Sequence, residues 1–218
     1  MTCPELQTIN PDQRGAERAT LLLRSAKLVC QSGEYVCMLR DVSTTGVRLR
    51  LFHAVPPEDF VFLELGNGEI HPVEKRWTRG QDAGFRFAQP VAVSAFMAEA
   101  CAFPRRPMRL RLTAGAQLRS AGHCVPARLH DLSQAGARIE TTLWLALHQP
   151  VRLTIDGLAE RSAVVCWRNR YEHGLVFQNS LRLDEFARQA LTLQPLSAPP
   201  PVQPMRIADE AMPTRAQA

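Results

Sequence analysis

The sequence has few aromatic residues and no long apolar run, and each of these features argues against one class of protein. Aromatic side chains make up 6% of the 218 residues, and no predicted strand interleaves them with Lys and Arg. This argues against a barrel that stacks nucleic-acid bases. No stretch approaches the roughly 18 apolar residues of a membrane span. The opening MTCPELQTINPDQRG lacks the apolar core of a secretory signal, so we expect a cytoplasmic protein without membrane insertion.

Metal-binding and catalytic patterns are also missing from the sequence. The six cysteines contain no Cys-x-x-Cys pair and match neither a zinc site nor a compact disulfide scaffold, so we expect free thiols. The six histidines contain no pair at metal-ligand spacing. No nucleophile elbow, phosphate-cradling Gly loop or zincin helix is present. We therefore predict a protein that is not an enzyme and uses no metal or cofactor.

The chain does contain an internal repeat with a period of about ninety residues. The motif Asp-x-Ser-x-x-Gly occurs in MLRDVSTTG at 38–46 and again in RLHDLSQAG at 128–136, so its two Asp residues lie 90 positions apart. Downstream residues repeat at the same distance: Trp77 and Trp167, Gly84 and Gly174, Phe87 and Phe177. A period of this length approaches the size of a small domain, which indicates two copies of one fold in tandem.

The repeat and the composition divide the chain into four segments. We expect a flexible N-terminus at 1–12, domains at 13–103 and 104–196, and a tail at 197–218. The tail is rich in Pro and Ala and has no apolar period, so we expect it to be disordered.

The apolar pattern within each copy is mostly typical of strands. AKLVC and YVCML flank a turn at 31–34, and FVFLEL and EIHPVEKRW flank a turn at 66–68, where the second copy has Asp156-Gly157. A helical pattern ends each copy, in SAFMAEACAF and in LDEFARQALTL. Five or six short antiparallel strands with a trailing helix favour a small barrel, because closure removes exposed strand edges. The predicted fold class is mainly β.

An Arg-x-x-x-Arg lies 22 or 23 residues before each Asp motif. The pairs are Arg14 and Arg18 before Asp41, and Arg105 and Arg109 before Asp131. By itself the Arg pattern is typical of a solvated basic stretch, and the Asp motif of a turn between strands. Their repeated combination resembles the PilZ domain, the bacterial receptor module for cyclic di-GMP, over nearly all of residues 13–193.

The resemblance implies a six-stranded antiparallel barrel and a cyclic di-GMP site in each copy. In that family the Arg motif lies on a flexible N-terminal segment and the Asp motif on the face of the barrel. The implied ligand-binding residues are Arg14, Arg18, Asp41, Ser43 and Gly46 in the first copy, and Arg105, Arg106, Arg109, Asp131, Ser133 and Gly136 in the second.

The chemistry of these residue types suits cyclic di-GMP, which carries two guanines and two phosphodiester anions. An Arg guanidinium can fork onto guanine O6 and N7 or onto phosphate oxygens, and Lys cannot reproduce that planar fork. An Asp carboxylate can accept hydrogen bonds from the Watson–Crick edge of guanine. Ser adds a hydroxyl, and Gly lets the backbone approach a ligand or take a positive φ.

The two copies differ in ways that favour the second as the tighter site. The second copy begins with PRRPMRLR, which has four arginines and no acid, whereas the first has Gly15 and Glu17 within RGAER. Glu17 weakens the positive field that attracts a dianion, and Gly15 raises the entropic cost of ordering the segment.

We expect Trp77 and Trp167 to lie in the barrel cores rather than to form surfaces on which bases stack.

The sequence thus predicts a receptor for cyclic di-GMP that changes its interdomain arrangement on binding. The second Arg pair follows directly after the first predicted helix, which ends near Phe103, so the ligand-binding segment is also the interdomain linker. The expected output is regulation of a downstream protein partner in motility, biofilm or exopolysaccharide production. The alternative is a PilZ-like adaptor that binds proteins and no nucleotide.

Overall fold

Two closed β-barrels make up the part of the chain that the computed structural model describes, residues 19–98 and 107–194; side chains are described from Arg24 onward. The first barrel consists of β1 (Ala19–Val29), β2 (Glu34–Val42), β3 (Gly46–Leu51), β4 (Phe60–Glu64), β5 (Ile70–Arg79) and β6 (Asp82–Phe87), followed by helix α1 (Val93–Ala98). The second consists of β7 (Arg109–Ser120), β8 (His123–Ser133), β9 (Gly136–Thr141), β10 (Pro150–Ile155), β11 (Arg161–Asn169) and β12 (Glu172–Phe177), followed by α2 (Leu183–Leu193). The predicted mainly-β fold of two six-stranded antiparallel barrels with trailing helices is confirmed.

Both barrels have the same strand order. Around the first it is β1-β2-β3-β6-β5-β4, and around the second β7-β8-β9-β12-β11-β10, with the end strands paired to close each barrel. The predicted hairpin turns lie where Gly68 and Gly157 adopt φ values of 88° and 76°, which a side chain would disfavour. The sequence repeat is therefore a repeat of topology.

Alternating apolar residues fill the interior of each barrel. In β3, Val47, Leu49 and Leu51 are buried, and the arginines between them are exposed. Phe96 of α1 joins the first core, and Phe186 of α2 joins the second. Each helix therefore packs one aromatic ring into its own barrel core.

The second barrel and α2 pack against the outer face of β2. Val36 of β2 is fully buried in the core cluster of the second barrel, and Phe52 packs against the same cluster. Gln194, directly after α2, bonds both backbone polar groups of Glu34: its Oε1 accepts from the N–H at 3.2 Å, and its Nε2 donates to the carbonyl. The interface thus joins the first hairpin of one barrel to the last helix of the other.

Glu34 places a buried carboxylate at this interface. Its side chain is 6% exposed, and it accepts hydrogen bonds from the backbone N–H of Arg111 at 2.8 Å, Arg111 Nε at 2.7 Å and Lys27 Nζ at 3.2 Å. Burial by itself raises the pKa of this carboxyl. The hydrogen bonds and charges of Arg111 and Lys27 outweigh burial and hold the pKa of Glu34 below its usual value, so it is ionised at neutral pH.

Several predicted segments lie outside the described residues. These are the N-terminus at 1–12, the tail at 197–218, and the linker that carries Arg105 and Arg106. Among the helices of the described ranges, none is long and apolar enough to cross a membrane.

Candidate functional site

A row of four residues crosses four neighbouring strands on one side of each barrel. Asp41 of β2 is the cross-strand partner of Arg48 of β3. Arg48 lies opposite Gly84 of β6, which lies opposite Trp77 of β5. The corresponding row of the second barrel is Asp131, Arg138, Gly174 and Trp167. The register therefore places an acid, a guanidinium, a position without a side chain and an indole side by side.

Irregular strand pairing precedes both ends of the row. The pairing of β2 with β3 shifts between Leu39 and Asp41, and that of β5 with β6 shifts between Lys75 and Trp77. The same shifts occur before Asp131 and before Trp167 in the second barrel. Such bulges re-aim the side chains that follow them and are frequent next to functional sites. Here they set the direction of the acid and of the indole.

The Ser and Gly of each motif bond to each other across the β2–β3 and β8–β9 turns. Ser43 Oγ donates to the carbonyl of Gly46 at 3.2 Å and accepts from its N–H at 3.1 Å. Ser133 and Gly136 make the same two bonds, both at 3.1 Å. Ser133 is also only 1% exposed. In this structure the hydroxyls stabilise the turn that orients the preceding acid.

Close packing explains the glycines of the two motifs. Neither Gly46 nor Gly136 has a positive φ. A Cβ at Gly46 would lie 2.8 Å from the carbonyl oxygen of Phe85, and one at Gly136 would lie 2.0 Å from that of Leu175. Both positions lack room for a methyl group because the neighbouring strand passes directly beside them.

The tryptophans lie on the barrel surface, so the prediction that they belong to the cores is wrong. Trp77 is 46% exposed, and Trp167 is partly exposed. Each indole covers the glycine opposite it: a Cβ on Gly84 would lie 2.0 Å from Trp77 Nε1, and a Cβ on Gly174 equally close to Trp167 Nε1. The indoles therefore form one wall of each candidate site.

Two arginines hold Asp131 in the second barrel. Arg109 Nη1 lies 2.7 Å from Asp131 Oδ1, and Arg138 Nε lies 2.8 Å from Oδ2. The Asp131 side chain is 12% exposed, whereas that of Arg109 is 48% exposed. Arg138 also reaches Glu172 at 3.5 Å. A buried carboxylate is thus aligned by two guanidinium groups that remain accessible from solution.

The first barrel has a looser version of the same arrangement beside an open cavity. Asp41 lies 3.7 Å from Arg48, which lies 3.4 Å from Asp82. A cavity of about 630 Å³ contains this pair and is also lined by Arg76 and Arg79. At 90 positions further along, the second barrel has Cys166 and Asn169 in place of these two arginines. Two arginines that line the first site are therefore uncharged residues in the second.

The structure brings most of the described candidate residues together. Asp41, Ser43 and Gly46 line one cavity. In the second barrel Arg109 contacts Asp131 and is the cross-strand partner of Ser133, which bonds to Gly136. Arg14, Arg18, Arg105 and Arg106 lie outside the described residues. Sequence reasoning missed Arg48 and Arg138, although both follow the motif Gly by two positions and lie 90 residues apart. That repetition was a usable signal.

No metal centre accompanies these groups within 19–98 and 107–194. No set of three His, Cys, Asp or Glu residues there is placed to hold a metal ion. The described part of each candidate site consists of guanidinium, carboxylate and indole groups.

Replacing the motif acids should affect the two barrels unequally. We expect Asp131→Asn to lower the free energy of unfolding by about 2–3 kcal/mol, because a buried carboxylate loses its two charge-assisted hydrogen bonds. We expect Asp41→Asn to cost less than about 1 kcal/mol, because its pair is longer and more exposed. Urea unfolding of both variants measures the difference, and equal losses would contradict the structural distinction between the sites.

A comparison with protein families identifies the family of this chain. The PilZ domain family matches the chain at residues 12–96 and at residues 103–192, which together make up most of its length. The chain belongs to the PilZ domain family. Its two PilZ domains coincide with the two barrels. None of the curated proteins compared with the chain matches it.

Solved structures similar to this PilZ protein have low sequence identity to it. The PilZ domain of CeSA from a cellulose-synthesizing bacterium is 20% identical and covers 39% of this chain and 97% of its own, with a TM-score of 0.33. PlzA of Borreliella burgdorferi, solved with c-di-GMP, is 10% identical and covers 81% and 94%, with a TM-score of 0.34. The Bacillus subtilis inhibitor of motility MotI/DgrA is 11% identical and covers 78% and 95%, with a TM-score of 0.35.

Proposed function

We propose that this tandem PilZ protein is a non-catalytic receptor for cyclic di-GMP with one candidate site on each barrel. The observation that carries the proposal is the convergence of Arg109 and Arg138 on the buried carboxylate of Asp131. Arg109 belongs to the Arg-x-x-x-Arg motif and Asp131 to the Asp motif, which lie 22 positions apart in the sequence. Two motifs that the family joins in one site are in contact here.

The donors and acceptors of this cluster match those of the ligand. A guanidinium has five N–H donors, and an ionised carboxylate has about four acceptor positions. Arg109 and Arg138 therefore keep donors for guanine O6 and N7 or for phosphate oxygens, and Asp131 keeps acceptor capacity for the N–H groups of guanine. Adenine does not present that donor pattern, which gives the site a basis for selecting guanine.

The arrangement of the chain supports a conformational output. Arg109 begins β7, directly after the linker between the barrels, and its carbonyl lies 3.4 Å from Lys27 Nζ of the first barrel. A ligand that binds Arg105, Arg106 and Arg109 together fixes this linker and so favours one arrangement of the barrels. The proposed role is to present that arrangement to a downstream protein that acts in motility, biofilm or exopolysaccharide output.

Calorimetry tests the receptor function directly. The full chain should release heat on titration with cyclic di-GMP at micromolar concentration, and cyclic di-AMP should give no saturable signal. Small-angle scattering with and without saturating cyclic di-GMP tests the change in arrangement. Unchanged scattering at saturation would contradict the conformational output. No heat with cyclic di-GMP would reject the receptor and favour the protein-binding adaptor.

A further inference from the structure

The contacts between the barrels reach the strand that carries the second candidate site. Arg111 of β7 is the cross-strand partner of Asp131, and both its backbone N–H and its Nε donate to the carboxylate of Glu34 in the first barrel. Lys27 Nζ lies 2.9 Å from Glu64 and 3.2 Å from Glu34, and it also lies 3.4 Å from the carbonyl of Arg109. The first barrel thus holds β7 on both sides of Leu110.

The internal repeat shows that a barrel of this fold forms without the charged residues that lie at the contact between the barrels. The charged residues Lys27, Glu34 and Glu64 correspond to Gln117, Cys124 and Thr154, which lie 90 positions later. Arg111 corresponds to Thr20, because each of these two residues pairs with the motif Asp of its own barrel. Both copies form the same closed barrel. Lys27, Glu34 and Arg111 therefore serve the contact between the barrels, whereas Glu64 pairs with Lys27 within the first barrel.

We infer that Glu34 of the first barrel is a positioning residue for the second site, because it fixes the start of β7 from which Arg109 reaches Asp131. The inference rests on the proposed function. It makes the second site a composite of both barrels, although the ligand-binding motifs lie in one of them. Affinity at that site then depends on whether the barrels are docked, and by reciprocity the ligand strengthens their docking.

The test measures cyclic di-GMP binding to the second site alone. Asp41→Ala in the full chain disables the first site and serves as the reference. In that background we expect Glu34→Gln to weaken binding about tenfold with an unchanged number of sites. The matched control is Glu64→Gln, because Glu64 contacts the same Lys27 Nζ while the bonds to Arg111 come from Glu34; it should bind within about twofold of the reference.

The sign of the effect separates positioning from simple electrostatics. Removing a negative charge near a site for a dianion should by itself strengthen binding, so weaker binding of the Glu34→Gln variant requires loss of position. A fall in the number of sites at unchanged affinity would indicate partial unfolding and would overturn the inference. Arg111→Lys gives a second variant that keeps the positive charge at a side chain that is 77% exposed; Lys cannot reproduce the planar guanidinium contact with Glu34, so this variant should also weaken binding.

The possible failures are distinguishable. If the reference chain binds and Glu34→Gln binds equally well, the positioning role is wrong and the receptor function stands. If the reference chain does not bind cyclic di-GMP, the proposed function fails at the second site, and the inference fails with it.

Discussion

Replacing Arg109 by alanine is expected to weaken cyclic di-GMP binding at the second site by about 100-fold. A well-placed Arg fork contributes about 1–3 kcal/mol, and this substitution also removes the guanidinium 2.7 Å from Asp131 Oδ1. Of the two guanidinium groups that orient the carboxylate, Arg138 alone would then remain. Calorimetry of the full chain measures the loss of affinity.

The control for Arg109→Ala comes from the same strand. Arg119→Ala removes an exposed arginine at the far end of β7 and should leave affinity within about twofold of wild type. Arg105→Ala should behave like Arg109→Ala, whereas Arg14→Ala should have a smaller effect on total affinity. The reverse ranking would mean that the first copy is the principal site, which its additional Arg76 and Arg79 would then explain.

Replacing Gly136 by alanine is expected to destabilise the second barrel by about 3 kcal/mol. The new methyl group would lie 2.0 Å from the carbonyl oxygen of Leu175, so β9 and β12 must separate, and overpacking of this kind typically costs about 1–3 kcal/mol. Because the φ of Gly136 is not positive, the clash rather than backbone strain accounts for the cost. Denaturant unfolding followed by tryptophan fluorescence measures it.

Gly46→Ala is the matched comparison at the equivalent position of the first barrel. There the methyl group would lie 2.8 Å from the carbonyl oxygen of Phe85, and a small strand shift can relieve the contact, so we expect a loss of about 1 kcal/mol. Equal stability of the Gly136→Ala variant and the wild type would disprove a structural role for the motif glycine. Its role would then be to let the backbone contact the ligand.

The fold was predictable because its signals are local and occur twice. Strand alternation, the hairpin glycines and a period of ninety residues all point to the same pair of barrels. The acids were predictable for the same reason, since Asp41 and Asp131 lie in a motif whose repetition is visible in the sequence. Arg48 and Arg138 carried the same repetition and were overlooked because they fall outside the family motif.

The tryptophans show what alternation cannot predict. Ala163 and Val165 point into the second barrel, and an unbroken strand would turn Trp167 inward as well. The pairing shift between Val165 and Trp167 reverses the direction of the indole, as a one-residue slip does in any strand. A bulge of this kind depends on the neighbouring strand, so the sequence of β11 gives no sign of it.

The role of Glu34 was hidden for a different reason. Its partners Arg111 and Gln194 lie 77 and 160 residues away, and such distant contacts leave no periodic trace. The relevant signal was a break in the repeat, since Cys124 stands where an exact copy would have a second glutamate. In a duplicated chain, positions that differ between the copies identify surfaces that have separate roles.

The return of Gln194 to the backbone of Glu34 has a consequence for biosynthesis. On the ribosome, all six strands of the first barrel emerge long before residue 194. During that interval the β1–β2 hairpin exposes Glu34, Lys27 and Val36 to water. The nascent chain exposes this surface until residue 194 has emerged. Partners that shield newly made apolar surface therefore have their longest opportunity at this hairpin.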